Sequence, residues 1–195
     1  MSPTPVAVAI TGGIGAGKSE ALKAFARYGA ATVSSDEIVH HLLRTDDVKR
    51  AVVERMGNGV ISPDGEIDRA ALGTVVFNDR AALDWLEALL HPLVSAEYLK
   101  WRDNLAALPD PPRVCVTEVP LLYEAGGESR FDKVVAITAP VKLRRARSSV
   151  TLDDRESRLI PDAEKVKRAD YAYTNTGSLE ELDTFVTSVM HDLAP

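Results

Sequence analysis

Cysteine is nearly missing from this chain: there is one in 195 residues. One thiol cannot close an internal disulfide, and a reducing, cytoplasmic setting fits that usage. Cys115 lies in the apolar run Val114-Cys115-Val116, where it reads as a small core residue rather than a catalytic thiol. No run approaches the roughly 20 apolar residues needed to cross a bilayer, so no membrane partner is expected. Met1-Ser2-Pro3-Thr4-Pro5 has neither the basic region nor the cleavage site of a secretory signal. An excess of positive charge is also absent. The formal net charge is -6, which argues against a general nucleic-acid partner. No internal repeat and no low-complexity segment is visible.

The hydrophobic content, 45% of 195 residues, suffices for one domain with a real core and a small insertion. Charge is unevenly spread within it. Arg144, Arg145, Arg147, Arg155 and Arg158 crowd one stretch. In an acidic protein this cluster reads either as a local anion site or as a solvated helix face.

Short apolar runs alternate with helical spacings along the chain. Val6–Ile10, ended by glycines, reads as a buried strand. Ala21, Leu22, Phe25 and Ala26 follow at helical spacing. Further strands are expected at 31–33, 113–117, 133–138 and 171–174. Helices are expected from Asp36, over 48–56, from about 69, over 80–107 with a bend near Pro92, and over 141–147, 163–167 and 179–193. Thr151–Asp154 is polar and reads as a mobile loop. This alternation predicts an α/β fold with a parallel sheet covered by helices on both faces. Residues 37–108 hold no convincing strand. They read as a helical insertion at the carboxyl edge of the sheet, where open α/β folds bind ligands.

One motif fits a specific chemistry. Gly12-Gly13-Ile14-Gly15-Ala16-Gly17-Lys18-Ser19 is a P-loop, G-x-x-x-x-G-K-[ST]. Its glycines allow successive backbone N–H groups to turn toward phosphate oxygens, and the following helix adds its positive end. Lys18 is expected on the β- and γ-phosphates of ATP or, second, GTP, and the Ser19 hydroxyl on Mg²⁺. Glu20 falls in the first helical turn. Its carboxylate suits the dipole but would repel phosphate, so it is expected to point away. A GTPase needs Asn-Lys-x-Asp and Asp-x-x-Gly; neither occurs here. Motor and transport ATPases are usually much larger. A small kinase for a small acceptor is therefore the working expectation.

The acceptor side is less determined. Asp36 follows the second strand, where a carboxylate can orient an attacking hydroxyl; it also suits a helix N-cap, with Ser34 and Ser35 as rivals. Glu118 ends the third strand, where an acid can hold Mg²⁺ through water, or it is simply a paired surface residue. His91, before Pro92, is either structural or part of an acceptor pocket.

Taken together, these segments resemble the dephospho-CoA kinase family. The match rests on Thr11–Ser19, Asp36-Glu-Ile-Val39, Leu90-His-Pro-Leu93 and Val119-Pro-Leu-Leu-Tyr-Glu124. Gly65-Glu-Ile-Asp-Arg69 and the tail Ala169–Leu182 add to it. The resemblance spans nearly the whole chain and implies a nucleoside-monophosphate-kinase-like P-loop fold. Its core would be about 1–36, 113–140 and 168–195, its CoA-binding insertion about 37–108 and its lid about 141–167. The implied reaction moves the γ-phosphoryl of ATP to the ribose 3′-hydroxyl of dephospho-CoA, with Mg²⁺. Lys18 and Asp36 would be catalytic. His91, Pro92, Pro120, Leu121 and Leu122 would line the dephospho-CoA pocket, and Asn175 would lie near the adenine. Two departures stand out. Ser34 and Ser35 replace residues of a frequent Asp-Ala-Asp, leaving Asp36. The lid looks short, Leu159 replaces a common glutamine, and the usual paired arginines are not reproduced. Arg147 and Arg155 are the candidates for the transferred phosphate. A related kinase for another nucleotide or small alcohol, or a non-catalytic ATP-binding module, is the alternative reading.

Overall fold

The computed structural model describes residues 4–147 and 159–194. Five strands form in the expected places: β1 (Val6–Thr11), β2 (Ala31–Ser34), β3 (Val114–Glu118), β4 (Lys133–Thr138) and β5 (Tyr171–Thr174). They make one parallel sheet in the order β2-β3-β1-β4-β5. Burial follows that order. β3 is buried at every position and β1 and β4 at all but the first, whereas β5, at the edge, alternates. Central parallel strands are covered on both faces and so read as unbroken apolar runs.

Among the described residues the α-helices are α1 (Lys18–Arg27), α2 (Ser35–Leu42), α3 (Asp46–Met56), α4 (Arg69–Asn78), α5 (Arg80–Ala106), α6 (Val141–Arg147), α7 (Asp162–Arg168) and α8 (Leu179–Leu193). None of the described helices is long and apolar enough to cross a membrane.

The chain divides into two compact units, one of Met1–Ser35 with Lys100–Pro195 and one of Asp36–Leu99. In the first, one core cluster joins Val8, Ile10, Val116, Val135 and Ile137 of the sheet to Phe25 of α1 and to Leu182, Val186 and Val189 of α8. A second cluster holds Ala9, Leu122, Tyr123 and Val134, with Phe131 and Ile160 against it. Burial of about 1.5–3 kcal/mol per large apolar side chain makes these two layers the main favourable term. Cys115 is 1% exposed within β3. Burial pushes its thiol up to about 11, so it is protonated and unreactive at neutral pH.

The second unit is helical; its one β-bridge among the described residues pairs Ile61 with Ile67. Asp68 caps α4 by accepting from Ala70 N and Ala71 N at 2.9 and 3.1 Å. Asp79 accepts from Ala81 N and Ala82 N at the start of α5. Ala82, Leu86, Leu90, Val94 and Tyr98 form the buried ladder of α5, four residues apart as one helix face requires. The helix runs on through Pro92, which lacks one backbone donor. His91 and Pro92 are exposed, on positions the ladder does not use. Past Leu99, the end of α5 belongs to the first unit. There Arg102 donates to the Arg130 carbonyl at 2.6 Å and stands over the Phe131 ring.

Candidate active site

The phosphate loop joins β1 to α1, and its shape is fixed by what surrounds it. Gly12 has φ +148°, and a methyl carbon there would lie 1.9 Å from the Ile137 carbonyl oxygen. No side chain larger than hydrogen fits without moving β4. Ala16 N donates to the Gly13 carbonyl at 3.3 Å, closing the loop. Lys18 is 8% exposed and folds back so that its Nζ donates to that same carbonyl at 3.1 Å. Gly17 is the N-cap of α1 at φ 100°, and it offers no side-chain cap. The start of α1 thus points its backbone N–H groups and positive dipole end at the loop, an arrangement that suits an anion. The Glu20 carboxylate pairs with Lys23 at 2.7 Å, along the exposed side of α1.

Sheet register brings the acidic candidate to this loop. Ile10, Ser34 and Glu118 share one row across β1, β2 and β3. Glu118 is 5% exposed, and the Ser19 hydroxyl donates to its Oε2 at 3.3 Å. Beyond this row the Thr11 hydroxyl donates to the Pro120 carbonyl at 3.3 Å, which joins the loop after β3 to the end of β1. Asp36 comes two residues after Ser34 and is exposed in the first turn of α2. Of the segment Pro120-Leu121-Leu122, Leu122 is fully buried in the second core cluster. Pro120 and Leu121 are half-buried and form its accessible part.

Arginine enters the site from α6. Arg144, from the cluster but not singled out by its spacing, is 8% exposed. Its Nη1 comes 2.7 Å from where a Gly13 Cβ would be, and its main-chain carbonyl 2.9 Å from that of Gly15. Asp162, at the start of α7, stands 3.9 Å from Arg144 Nη2. Arg147 is exposed, yet its guanidinium flanks two glycines, with Nη1 4.0 Å from a Cβ at Gly17 and Nη2 3.4 Å from one at Gly177. Arg155 lies outside the described residues, as do Arg158 and the polar stretch Thr151–Asp154. Asn175 is 6% exposed and reaches the loop from behind, its Nδ2 donating to the Ala16 carbonyl at 2.9 Å.

Glu124 closes the Pro-Leu-Leu-Tyr-Glu segment and has a holding role that its motif gave no sign of. Its Oε1 accepts from Ile160 N at 2.9 Å and lies 2.9 Å from Nζ of Lys165, which is fully buried. Arg168 stacks over the Tyr123 ring, 4.1 Å from its centroid, and pairs with Glu128. Burial raises the Tyr123 hydroxyl above its ordinary value, with Arg168 pulling the other way. These contacts fix α7 to the turn after β3. Lys165 is the buried residue of α7 while its neighbour Val166 is exposed, so the lysine carries no sequence mark of full burial and its partner had to come from the fold.

Known proteins place this arrangement. The family model described as dephospho-CoA kinase matches residues 6–181. A dephospho-CoA kinase of Protochlamydia amoebophila is 36% identical over 198 aligned residues, covering 95% of each chain. One of Mesorhizobium japonicum is 36% identical with 96% of each covered. The solved dephospho-CoA kinase of Campylobacter jejuni superposes with TM-score 0.71 at 26% identity, covering 96% of both chains. Parallel sheet, phosphate loop and whole-length similarity agree, and the chain belongs to the dephospho-CoA kinase family, an ATP-using phosphotransferase family of the P-loop fold.

Proposed function

We propose that this chain phosphorylates the ribose 3′-hydroxyl of dephospho-CoA with ATP, using the groups gathered around β1 and β3. The observation that carries the reading is the Ser19–Glu118 contact at 3.3 Å beside the Lys18 loop. A hydroxyl and a buried carboxylate side by side support this reading, because a kinase needs oxygen ligands beside its phosphate loop. Two oxygen donors next to a phosphate cradle fit Mg²⁺, which is held by one or two protein groups plus substrate phosphates and waters. Ser19 and Glu118 would hold the ion, which would supply neutralisation of the charge on the transferring phosphate.

The protein's own residues do the rest. The N–H groups at the start of α1 and Lys18 hold the phosphates, with Lys18 exchanging the Gly13 carbonyl for a phosphate oxygen. Arg147, beside Gly17 and Gly177, takes a further ATP contact; Arg155 is a second candidate on the resemblance alone. Asp36 accepts the hydrogen bond of the 3′-hydroxyl and holds it in line. His91, Pro92, Pro120 and Leu121 contact dephospho-CoA, with Leu122 supporting the last two from the core. Phosphoryl transfer depends mainly on such positioning and charge stabilisation.

The test is Asp36→Asn with ATP and dephospho-CoA. A lost carboxylate should lower kcat by about a hundredfold or more. Turnover within about tenfold of the parent, roughly 1.4 kcal/mol of barrier, would remove Asp36 from the mechanism. An acceptor panel read by ADP release tests the substrate. Turnover of a nucleoside monophosphate in place of dephospho-CoA would overturn the reading.

A further inference from the structure

We propose that Asn175 is a positioning residue for the phosphate cradle, acting through the peptide between Ala16 and Gly17. Three contacts hold it. Its backbone N donates to the Thr138 carbonyl at 2.7 Å, which fixes it at the carboxyl end of β4 and β5. Its Oδ1 accepts from Gly177 N at 3.0 Å, an Asx turn that sets the rotamer. Its Nδ2 then donates to Ala16 O at 2.9 Å, across 159 residues of sequence. Both ends of the amide are thus committed, and this bond to the loop is buried.

The consequence follows from peptide geometry. There is no cis peptide among the described residues, and in a planar trans peptide the N–H points opposite to the carbonyl. A carbonyl of Ala16 held toward Asn175 aims the Gly17 N–H to the opposite side. The same amide explains the glycine at this position. A methyl carbon on Gly17 would lie 2.2 Å from Asn175 Nδ2. Gly17 and Asn175 therefore form one device: the side chain sets the peptide, and the missing side chain lets it approach. With that amide engaged on the loop, Asn175 tunes how phosphate is gripped and leaves base recognition to other groups. The inference rests on the reading of this loop as the ATP site.

Asn175→Asp keeps the size and the acceptor for Gly177 N but sets a carboxylate against the Ala16 carbonyl. Asn175→Ser keeps an acceptor and is too short to reach Ala16. Both are compared with the parent for affinity toward ATP, GTP and inorganic tripolyphosphate, alongside thermal melts. For both, the expected result is a loss of about tenfold or more, equal for ATP and tripolyphosphate, with the ATP-to-GTP ratio unchanged. A changed ATP-to-GTP ratio with tripolyphosphate binding intact would overturn the proposal in favour of base recognition. A lowered melting temperature with all three affinities intact would overturn it in favour of a purely structural role. A parent that binds neither ATP nor tripolyphosphate would sink the ATP reading itself, and this inference with it. If Asn175→Asp does not fold, Asn175→Ser carries the same outcomes.

Discussion

Gly12, Gly13, Gly15 and Gly17 each face a neighbour that an added methyl would strike, whereas Gly59 and Gly73 of the helical unit face open space within 4 Å. Two ion pairs carry the same contrast. Lys165–Glu124 in the sheet unit has side chains 0% and 14% exposed, while Arg50–Asp47 in the helical unit has side chains 67% and 94% exposed. Both regions use the same residue types. Around the phosphate loop and Glu124 those residues are held by several partners at once, and a change cannot be absorbed locally. In the helical unit each is an independent local choice.

The largest expected effect that would sharpen this contrast is at Gly12. Gly12→Ala must displace the Ile137 carbonyl, an overlap with backbone that costs more than about 3 kcal/mol. We expect a sharp fall in melting temperature and ATP affinity at least about a hundredfold weaker by titration. Normal melting and normal affinity would show that the loop is less confined than its contacts imply.

Next in size is Glu124→Gln, which leaves the buried Lys165 ammonium without its charge partner. Breaking such a pair costs about 3–5 kcal/mol. Arg50→Ala removes the solvated Arg50–Asp47 pair of the helical unit and should cost under about 1 kcal/mol. Urea titrations of both variants give the comparison directly. Equal shifts would break it.

pH provides a third comparison. Burial raises the Asp170 carboxyl, but hydrogen bonds from Val134 N at 2.8 Å and Lys133 at 3.0 Å bring it below the ordinary range. A lowered folded value stabilises above the unfolded pKa of about 3.9, and that share is lost as pH falls through the folded value. Lys133 is raised by the same hydrogen bond. Its share is full below about pH 10.4 and is lost as pH rises through the folded value. Asp170→Asn should thus melt lower than the parent at pH 7, with the gap closing at strongly acid pH. Asp64, lowered by the Ser62 hydroxyl in an exposed turn, should give a smaller gap as Asp64→Asn. The smallest effect has the opposite sign. Gly73 sits inside α4 with nothing near it, so Gly73→Ala should stabilise by about 0.5–1 kcal/mol, seen as a higher urea midpoint with unchanged activity.

Local pattern made most of the fold legible. Strand runs and helical spacings depend on neighbours within a turn or two, and the expected elements form. The phosphate loop was readable because its chemistry lies in eight consecutive residues. What sequence could not supply was sheet order. Only with β1 beside β3 do Ser19 and Glu118 meet, and only with β4 beside β5 does Asn175 come up behind Ala16. Arg144 was one arginine among several until α6 laid it against Gly13. Leu122 shared a motif with Pro120, yet the turn after β3 carries it into the core. These are long-range placements, set by packing rather than by propensity.

The lone thiol offers a practical use. Cys115 pairs in register with Ala7 on one side and Ala31 on the other, in the middle of the sheet. Its burial makes it silent to alkylating dyes while the chain is folded. Labelling can begin only when these strands separate, so its rate reports sheet opening. It also means that cysteines introduced at the surface for distance measurements can be tagged selectively, with the native residue left in place as a built-in unfolding clock.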